Sequence, residues 1–383
     1  MNLFSSHRMK YPITVFHVIL MAGVSLVFSV SAGAGSLSDD PDKTVKIGLL
    51  IQDNKSVAAK QGAEIAVRRA NQNSGPDGLS FELVVRSMEG PWGTGSKQAV
   101  DLIFNEKVWA LVGSHDGRNA HLVEQAATKA IVPFVSAWSG DPGLSQAFVP
   151  WFFNCIPNDF QQAEAIFNEI FINRKLTGVA IIFGNEYDPN MALSNFLKKI
   201  RLEQKKDPVQ FRLRDYAGKI PELASLIARS DAECIVLFCN PADALKVLEQ
   251  IRQLKKRVPL FSSHYILNEN EFTDQELRML EDNILFALPE WSDVIYRPFA
   301  NEYKDTYGRS PGMAATYAFD SMCLVIEAIR NAGTADREQI QKSLEKIVYK
   351  GVTGTISFDE MGNREGPYII SILQNGIPAL ADK

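Results

Sequence analysis

The sequence predicts an α/β protein built as two doubly wound, Rossmann-like lobes joined by a hinge that the chain crosses several times. Three observations carry this. Short β-branched runs alternate with segments of helical period from residue 45 to 135. The same rhythm restarts at residue 178 and runs to 261. Between the two halves lies an apolar stretch, 150–157 (PWFFNCIP), with none of the Gly/Ser/Pro character of a loose tether. Alternation of this kind means parallel strands covered by helices, and two such units mean two sheets.

In the first unit, 45–51 (VKIGLLI) is a strand and 57–71 a helix through Val57, Ile65 and Val67. Residues 81–86 form a strand and 97–105 a helix. Strands at 108–112 and 131–135 flank a helix at 120–129. In the second unit the strands are 178–183, 210–213, 233–239 and 258–261, with helices at 191–199, 220–228 and 242–255. A further strand at 284–288 precedes helices at 297–307 and 313–332. The economical packing returns this last part to the first lobe. The expected division is 35–155 plus 289–366 for one lobe and 156–288 plus 367–383 for the other. A cleft between the strand-end faces of two such lobes is where α/β sheets bind ligands.

Residues 1–34 have the order of a secretory signal: Arg8 and Lys10, an apolar stretch over 13–30, then small residues at 30–34. An apolar stretch of about 18 residues could also stay as an uncleaved membrane anchor, but Ser, Thr, His17 and Gly dilute it and small residues end it. With no cysteine near the cleavage site, the expectation is a soluble protein released into the periplasm. Without the signal, 38 Lys and Arg face 45 Asp and Glu, net −7, with both signs interspersed. Nothing in that balance calls for nucleic acid or an anionic membrane surface. After the signal no apolar run approaches the roughly 18 residues that would span a bilayer. An exported protein could pair Cys155, Cys234, Cys239 and Cys323, though Cys234 and Cys239, five apart in one strand, cannot pair with each other. With no metal-ligand spacing, the plain reading is buried thiols.

Catalytic signals are poor. Past the signal the only histidines are His115, His121 and His264, and no nucleophile elbow, zinc-protease helix, phosphate loop or dinucleotide fingerprint occurs. The expectation is a protein that is not an enzyme and needs no cofactor. The candidate ligand residues follow the strands. Ser114, His115, Asp116 and Gly117 lie in a βα turn whose backbone amides suit an anionic group, or serve as a helix cap. Trp138, Ser139 and Gly140 occupy the next turn, where the indole walls a ligand or packs in the core. Trp92 sits on a glycine-rich loop as a second wall. Tyr187 offers a ring and a hydroxyl, Asn240 follows a strand end, and His264 is a tunable donor or acceptor.

Five stretches in register resemble the type I periplasmic solute-binding proteins of the branched-chain amino acid branch of ABC importers. They are 45–50 (VKIGLL) with 61–66 (QGAEIA), 108–113 (VWALVG) with 132–136 (VPFVS), 157–163 (PNDFQQA), 179–182 (VAII) with Tyr187, and 351–359 (GVTGTISFD) with Gly362. The resemblance implies a monomer that closes two lobes on a small polar molecule, an amino acid or a related amide or carboxylate. It would then deliver that molecule to permease subunits in the inner membrane; a sensory subunit presenting its closed form to a receptor is the alternative. It also implies that the family's carboxylate-binding serine falls near Gly117. Ser139 and Gly140 match its backbone acceptor and hydroxyl donor, Tyr187 its second-lobe tyrosine, and His264 its ammonium-binding acid. Because a glycine and a histidine replace two anchors, leucine, isoleucine and valine are expected to bind weakly. An anionic or neutral ligand with an apolar body is expected in their place.

Overall fold

Ile47, Leu49, Leu50 and Ile51 are buried on both faces of the first strand, β1 (Thr44–Ile51). A strand covered on both sides reads as a continuous apolar run, and this one lies within a parallel sheet. The structure is a computed structural model that describes residues 44–73, 78–113, 116–146, 149–254, 257–268, 273–281, 284–334 and 336–381. The signal expected over 1–34, and Ser114 and His115, lie outside the described residues.

After β1 come α1 (Val57–Gln72), β2 (Ser80–Ser87) and α2 (Thr94–Val100), which passes into a π-helical turn at Asp101–Asn105. The helix expected over 97–105 therefore begins three residues early and loosens where it was expected to continue. Next are β3 (Ala110–Gly113), α3 (Gly117–Lys129), β4 (Phe134–Ser136), α4 (Gly143–Gln146) and β5 (Phe152–Asn154). The apolar stretch between the halves thus begins as a strand. The first sheet has the order β2-β1-β3-β4-β5, all parallel.

The chain then forms α5 (Asp159–Phe167), which the apolar periodicity alone did not reveal. Its start is written in polar residues. The Asn158 side chain accepts from the Gln161 amide while Gln161 accepts from the Asn158 amide, a reciprocal cap. Beyond it are β6 (Val179–Phe183), α6 (Tyr187–Leu202), β7 (Val209–Arg212), α7 (Ile220–Arg229), β8 (Cys234–Phe238), α8 (Pro241–Ile251), β9 (Leu260–Ser262), α9 (Asp274–Arg278) and β10 (Ile284–Leu288). The last elements are α10 (Asp293–Tyr307), α11 (Met313–Ala332), α12 (Arg337–Lys346), the hairpin β11 (Tyr349–Gly351) and β12 (Gly354–Ile356), then β13 (Ile369–Gln374) and β14 (Ile377–Leu380). The second sheet runs β14-β13-β10-β9-β8-β6-β7, parallel from β10 to β7 and antiparallel at β13 and β14. Every residue of β8 and β10 is buried; each such Val, Leu, Ile or Phe contributes about 1.5–3 kcal/mol by leaving water.

Long-range packing sends the late segments in two directions. Helix α11 lies along α1 of the first sheet, and β13 joins β10 in the second. The two helices approach closely because their contact is built of Ala58, Gly62, Ala63, Ala314, Ala315 and Ala318. A Cβ on Gly62 would lie 2.1 Å from the Ala315 carbonyl oxygen, so only glycine fits there.

Three passages of chain between the sheets are tied together. The Asn154 amide donates to the Gly362 carbonyl at 2.8 Å, and the Ser292 amide to the Val352 carbonyl at 2.7 Å. Asn158 Nδ2 donates to Asn363 Oδ1 at 2.9 Å. All four cysteines stand as free thiols, Cys155, Cys234 and Cys239 buried and Cys323 partly so. Among the described residues no helix is long and apolar enough to cross a membrane.

Candidate ligand-binding site

The C-terminal ends of β3, β4 and β5 face those of β6 and β9, and the turns after these strands meet. Three carboxylates gather where they do. Asp141 follows β4, Asp159 opens α5 and Asp188 is the second residue of α6; all are buried.

Asp141 is fully partnered. Its Oδ2 receives His121 Nε2 at 3.0 Å and the Tyr187 hydroxyl at 3.2 Å, and its Oδ1 accepts from the Gly143 amide at 2.8 Å. Burial raises its pKa, but these donors more than offset that and hold it below the usual carboxylate range. The hydrogen bond to Asp141 in turn raises the His121 pKa.

Asp188 has one clear partner. The Gly117 amide, first in α3, donates to its Oδ1 at 2.8 Å. Burial, with Asp116 and Asp141 nearby, pushes Asp188 up to about 8. Tyr187 beside it is raised to about 12 by burial and by Asp141, and the Arg118 guanidinium lies 4.8 Å above its ring. The first turns of α3 and α6 are thus in direct contact.

Asp159 is different. It is 1% exposed, and neither carboxylate oxygen has a partner at hydrogen-bonding geometry. Burial, then Asp188 and Asp141, push its pKa well above the usual range; the adjacent Tyr265 hydroxyl offsets only part of that. A Cβ built on Gly140 would lie 2.8 Å from Asp159 Oδ1 and 3.0 Å from the Tyr265 hydroxyl. The Gly140 amide donates to that hydroxyl at 3.0 Å, and the Gly140 carbonyl accepts from the Asp159 amide at 2.8 Å. A buried carboxylate without a partner is costly in any stable fold, so it marks a place where a donor or a cation is required.

The matching family is the receptor family ligand binding region, which aligns with residues 58–375. The chain belongs to this family. Its fold is that of the type I periplasmic binding proteins. The substrate-binding protein LivJ from Streptococcus pneumoniae, solved with isoleucine, superposes with a TM-score of 0.71 at 23% identity, over 88% of this chain and 98% of that one. A solute-binding protein from Rhodopseudomonas palustris BisB5, solved with 3,4-dihydroxybenzoic acid, gives 0.72 at 18% identity, over 88% and 96%. Glutamate receptor 3.4 of Arabidopsis thaliana is 22% identical over 374 residues; the alignment takes in 85% of this chain but only 38% of the receptor's length.

Within this family frame, the expected site residues divide. Gly117, Gly140 and Tyr187 join the carboxylate group directly. Asp116 caps α3 through the Asn119 amide at 2.8 Å. Ser139 is buried, its hydroxyl 3.4 Å from the Asp141 amide and its carbonyl held by Asn154 Nδ2 at 2.9 Å. Trp138 is 2% exposed and packs edge-on to His264 at 5.0 Å and Tyr317 at 6.3 Å. His264 lies in the same core. Its Nε2 donates to the Trp138 carbonyl at 3.0 Å and its Nδ1 accepts from Gln162 Nε2 at 3.0 Å. Burial brings its pKa down to about 3, so it is a neutral strut, not a tunable donor.

Asn240 caps α8 and donates to Glu186 at 2.8 Å. Trp92 is 77% exposed in the loop ahead of α2 and takes part in none of these contacts. Asp141, Asp159, Asp188 and Tyr265 were missed. Asp159 lies in the stretch 157–163, where Asn158 and Gln161 form a readable cap with an acid at the first helical position.

Proposed function

We propose that the protein is the solute-binding component of an ABC importer and captures a small molecule bearing a protonated amine. The unpartnered, buried Asp159 carries this reading. A ligand ammonium placed against it supplies the missing charge and donors, and the neighbouring Asp141 and Asp188 add to the attraction. Tyr265 and Gly140 adjoin the same point, and Tyr187 reaches the neighbouring Asp141.

The lobes are 35–155 plus 289–366 and 156–288 plus 367–383, and they close about the crossings tied by Asn154, Asn158 and Ser292. The protein is exported with loss of 1–34, acts as a monomer in the periplasm and hands its ligand to permease subunits. Likeness to binding proteins solved with isoleucine and with a hydroxybenzoate supports capture of a small molecule, and the acids of this site support a cation. Protein purified without unfolding, then acid-extracted and analysed by mass spectrometry, tests the proposal. An amine released in about one-to-one amount is expected; an extract with no small molecule, from protein that no amine stabilises, would refute it.

A further inference from the structure

We propose that Asp188 sets the ligand class: it occupies the amide of Gly117 at the start of α3, so the site admits an amine that has no carboxylate of its own. This rests on the capture reading above and narrows it.

A helix N-terminus in a βα turn is an anion receptor, because its first amides have no partner within the helix. Here α3 runs 13 residues from Gly117, and its first amide points at the opposite sheet's α6. That amide is already taken by Asp188 Oδ1 at 2.8 Å. The space around it is also filled. A Cβ on Gly117 would lie 2.7 Å from Asp188 Oδ1, 3.1 Å from Tyr187 Cε1 and 3.2 Å from Asp141 Cβ. An anionic group reaching this amide would have to displace Asp188, leaving that carboxylate buried without a donor.

Charge points the same way. The groups that face this point are Asp116, Arg118 and His121 on or before α3, Asp141 after β4, Asp159 on α5, Tyr187 and Asp188 on α6, and Tyr265 after β9. Of the basic groups, His121 is bound to Asp141 and Arg118 lies over the Tyr187 ring. A zwitterionic amino acid would bring a negative group into a cluster of three buried acids, where Asp141 already carries the charge that its donors hold. A plain amine brings only the positive group that Asp159 lacks.

The test uses ligand-stripped, refolded protein and three pairs in which each amine is the amino acid without its carboxylate: isopentylamine and leucine, phenethylamine and phenylalanine, agmatine and arginine. Calorimetry and thermal shift read the ratio of affinities within each pair. At least one amine is expected to bind about tenfold or more tighter than its twin, in line with loss of one charged hydrogen bond. Asp188→Ala frees the Gly117 amide and should erase that ratio by strengthening the amino acid. Asp188→Asn keeps an oxygen on the amide and should preserve it, which a merely structural role for Asp188 would not predict.

An amino acid that beats its amine in the wild type overturns the proposal, as does an unchanged ratio in Asp188→Ala. Should Asp188→Ala not fold, the wild-type ratio still decides the class. If none of the six binds, the extract of natively purified protein separates the two readings. A carboxylate recovered there sinks the ligand class and leaves capture standing; an empty extract sinks both.

Discussion

Arg364 Nη1 donates to the Cys155 carbonyl at 2.8 Å, and this bond joins the segment after the β11–β12 hairpin to the chain leaving the first sheet. The same guanidinium serves the Thr353 hydroxyl at 3.0 Å, the Thr353 carbonyl and the Thr355 carbonyl at 3.0 Å. Beneath it the Asp320 carboxylate accepts from the amides of Val352 and Thr353. Arg364 is 1% exposed, so its removal strands several buried acceptors at once. Arg364→Leu should cost at least about 3 kcal/mol, given 1–3 kcal/mol for each unsatisfied group and incomplete additivity. Urea unfolding measures it; a loss below about 1 kcal/mol would mean that water replaces the guanidinium and that the crossings are not locked by it.

Gly117→Ala probes the contact between α3 and α6. The added methyl meets Asp188, Tyr187 and Asp141 at 2.7–3.2 Å, so either the side chains give way or the two helices part. Overpacking of this order costs about 1–3 kcal/mol. Small-angle scattering of the ligand-free variant should show a larger radius of gyration than wild type. An unchanged radius with unchanged stability would show that the first turns of α3 and α6 already move freely.

Asp159→Asn should make the ligand-free protein more stable and less able to bind. The neutral amide removes an acid whose pKa burial, then Asp188 and Asp141, have raised, a shift that costs stability near neutral pH, for a gain of about 1 kcal/mol. The same change deletes the partner proposed for a ligand ammonium. Chemical denaturation at pH 7.5 and amine calorimetry give the two readouts. A less stable variant would show that Asp159 has a protein donor in solution.

Stability of the ligand-free protein should fall as pH rises from about 6.5 to 8. Asp188, at about 8 in the fold and 3.8 as a free side chain, binds more protons folded than unfolded through that window. Asp159 is shifted the same way, and His121, raised by Asp141, loses its contribution in the same direction. Below 6.5 His264 opposes them, because it stays neutral in the fold while the unfolded chain takes up its proton. Melting temperatures across this range for wild type and Asp188→Asn provide the check. The variant should have the flatter profile; equal slopes would remove Asp188 as a titrating group.

The class of fold was legible in the sequence because parallel strands buried on both faces must be continuous apolar runs. The runs at 45–51, 179–183 and 234–238 could be little else. The helices with apolar stripes were legible for a similar reason. Helices α5 and α12 were not: α5 is marked by a polar cap that periodicity ignores, and α12 has a mostly polar surface with only Ile340, Gln341 and Leu344 buried. For the candidate site, the sequence marked the strand ends after which Gly117, Gly140 and Tyr187 lie, and these three sit beside the buried acids. It could not tell that Trp138 and His264 turn into the core, since an indole or imidazole after a strand looks the same whether it faces ligand or protein.

Least of all could it show that Asp141, Asp159 and Asp188 converge. They lie on three separate segments, at 141, 159 and 188, each an ordinary acid near a helix start where such residues are common caps. Local chemistry determined each segment's shape. Only the meeting of the two sheets removed water from all three carboxylates together, and that shared burial leaves Asp159 without a partner and gives Asp188 its hold on Gly117.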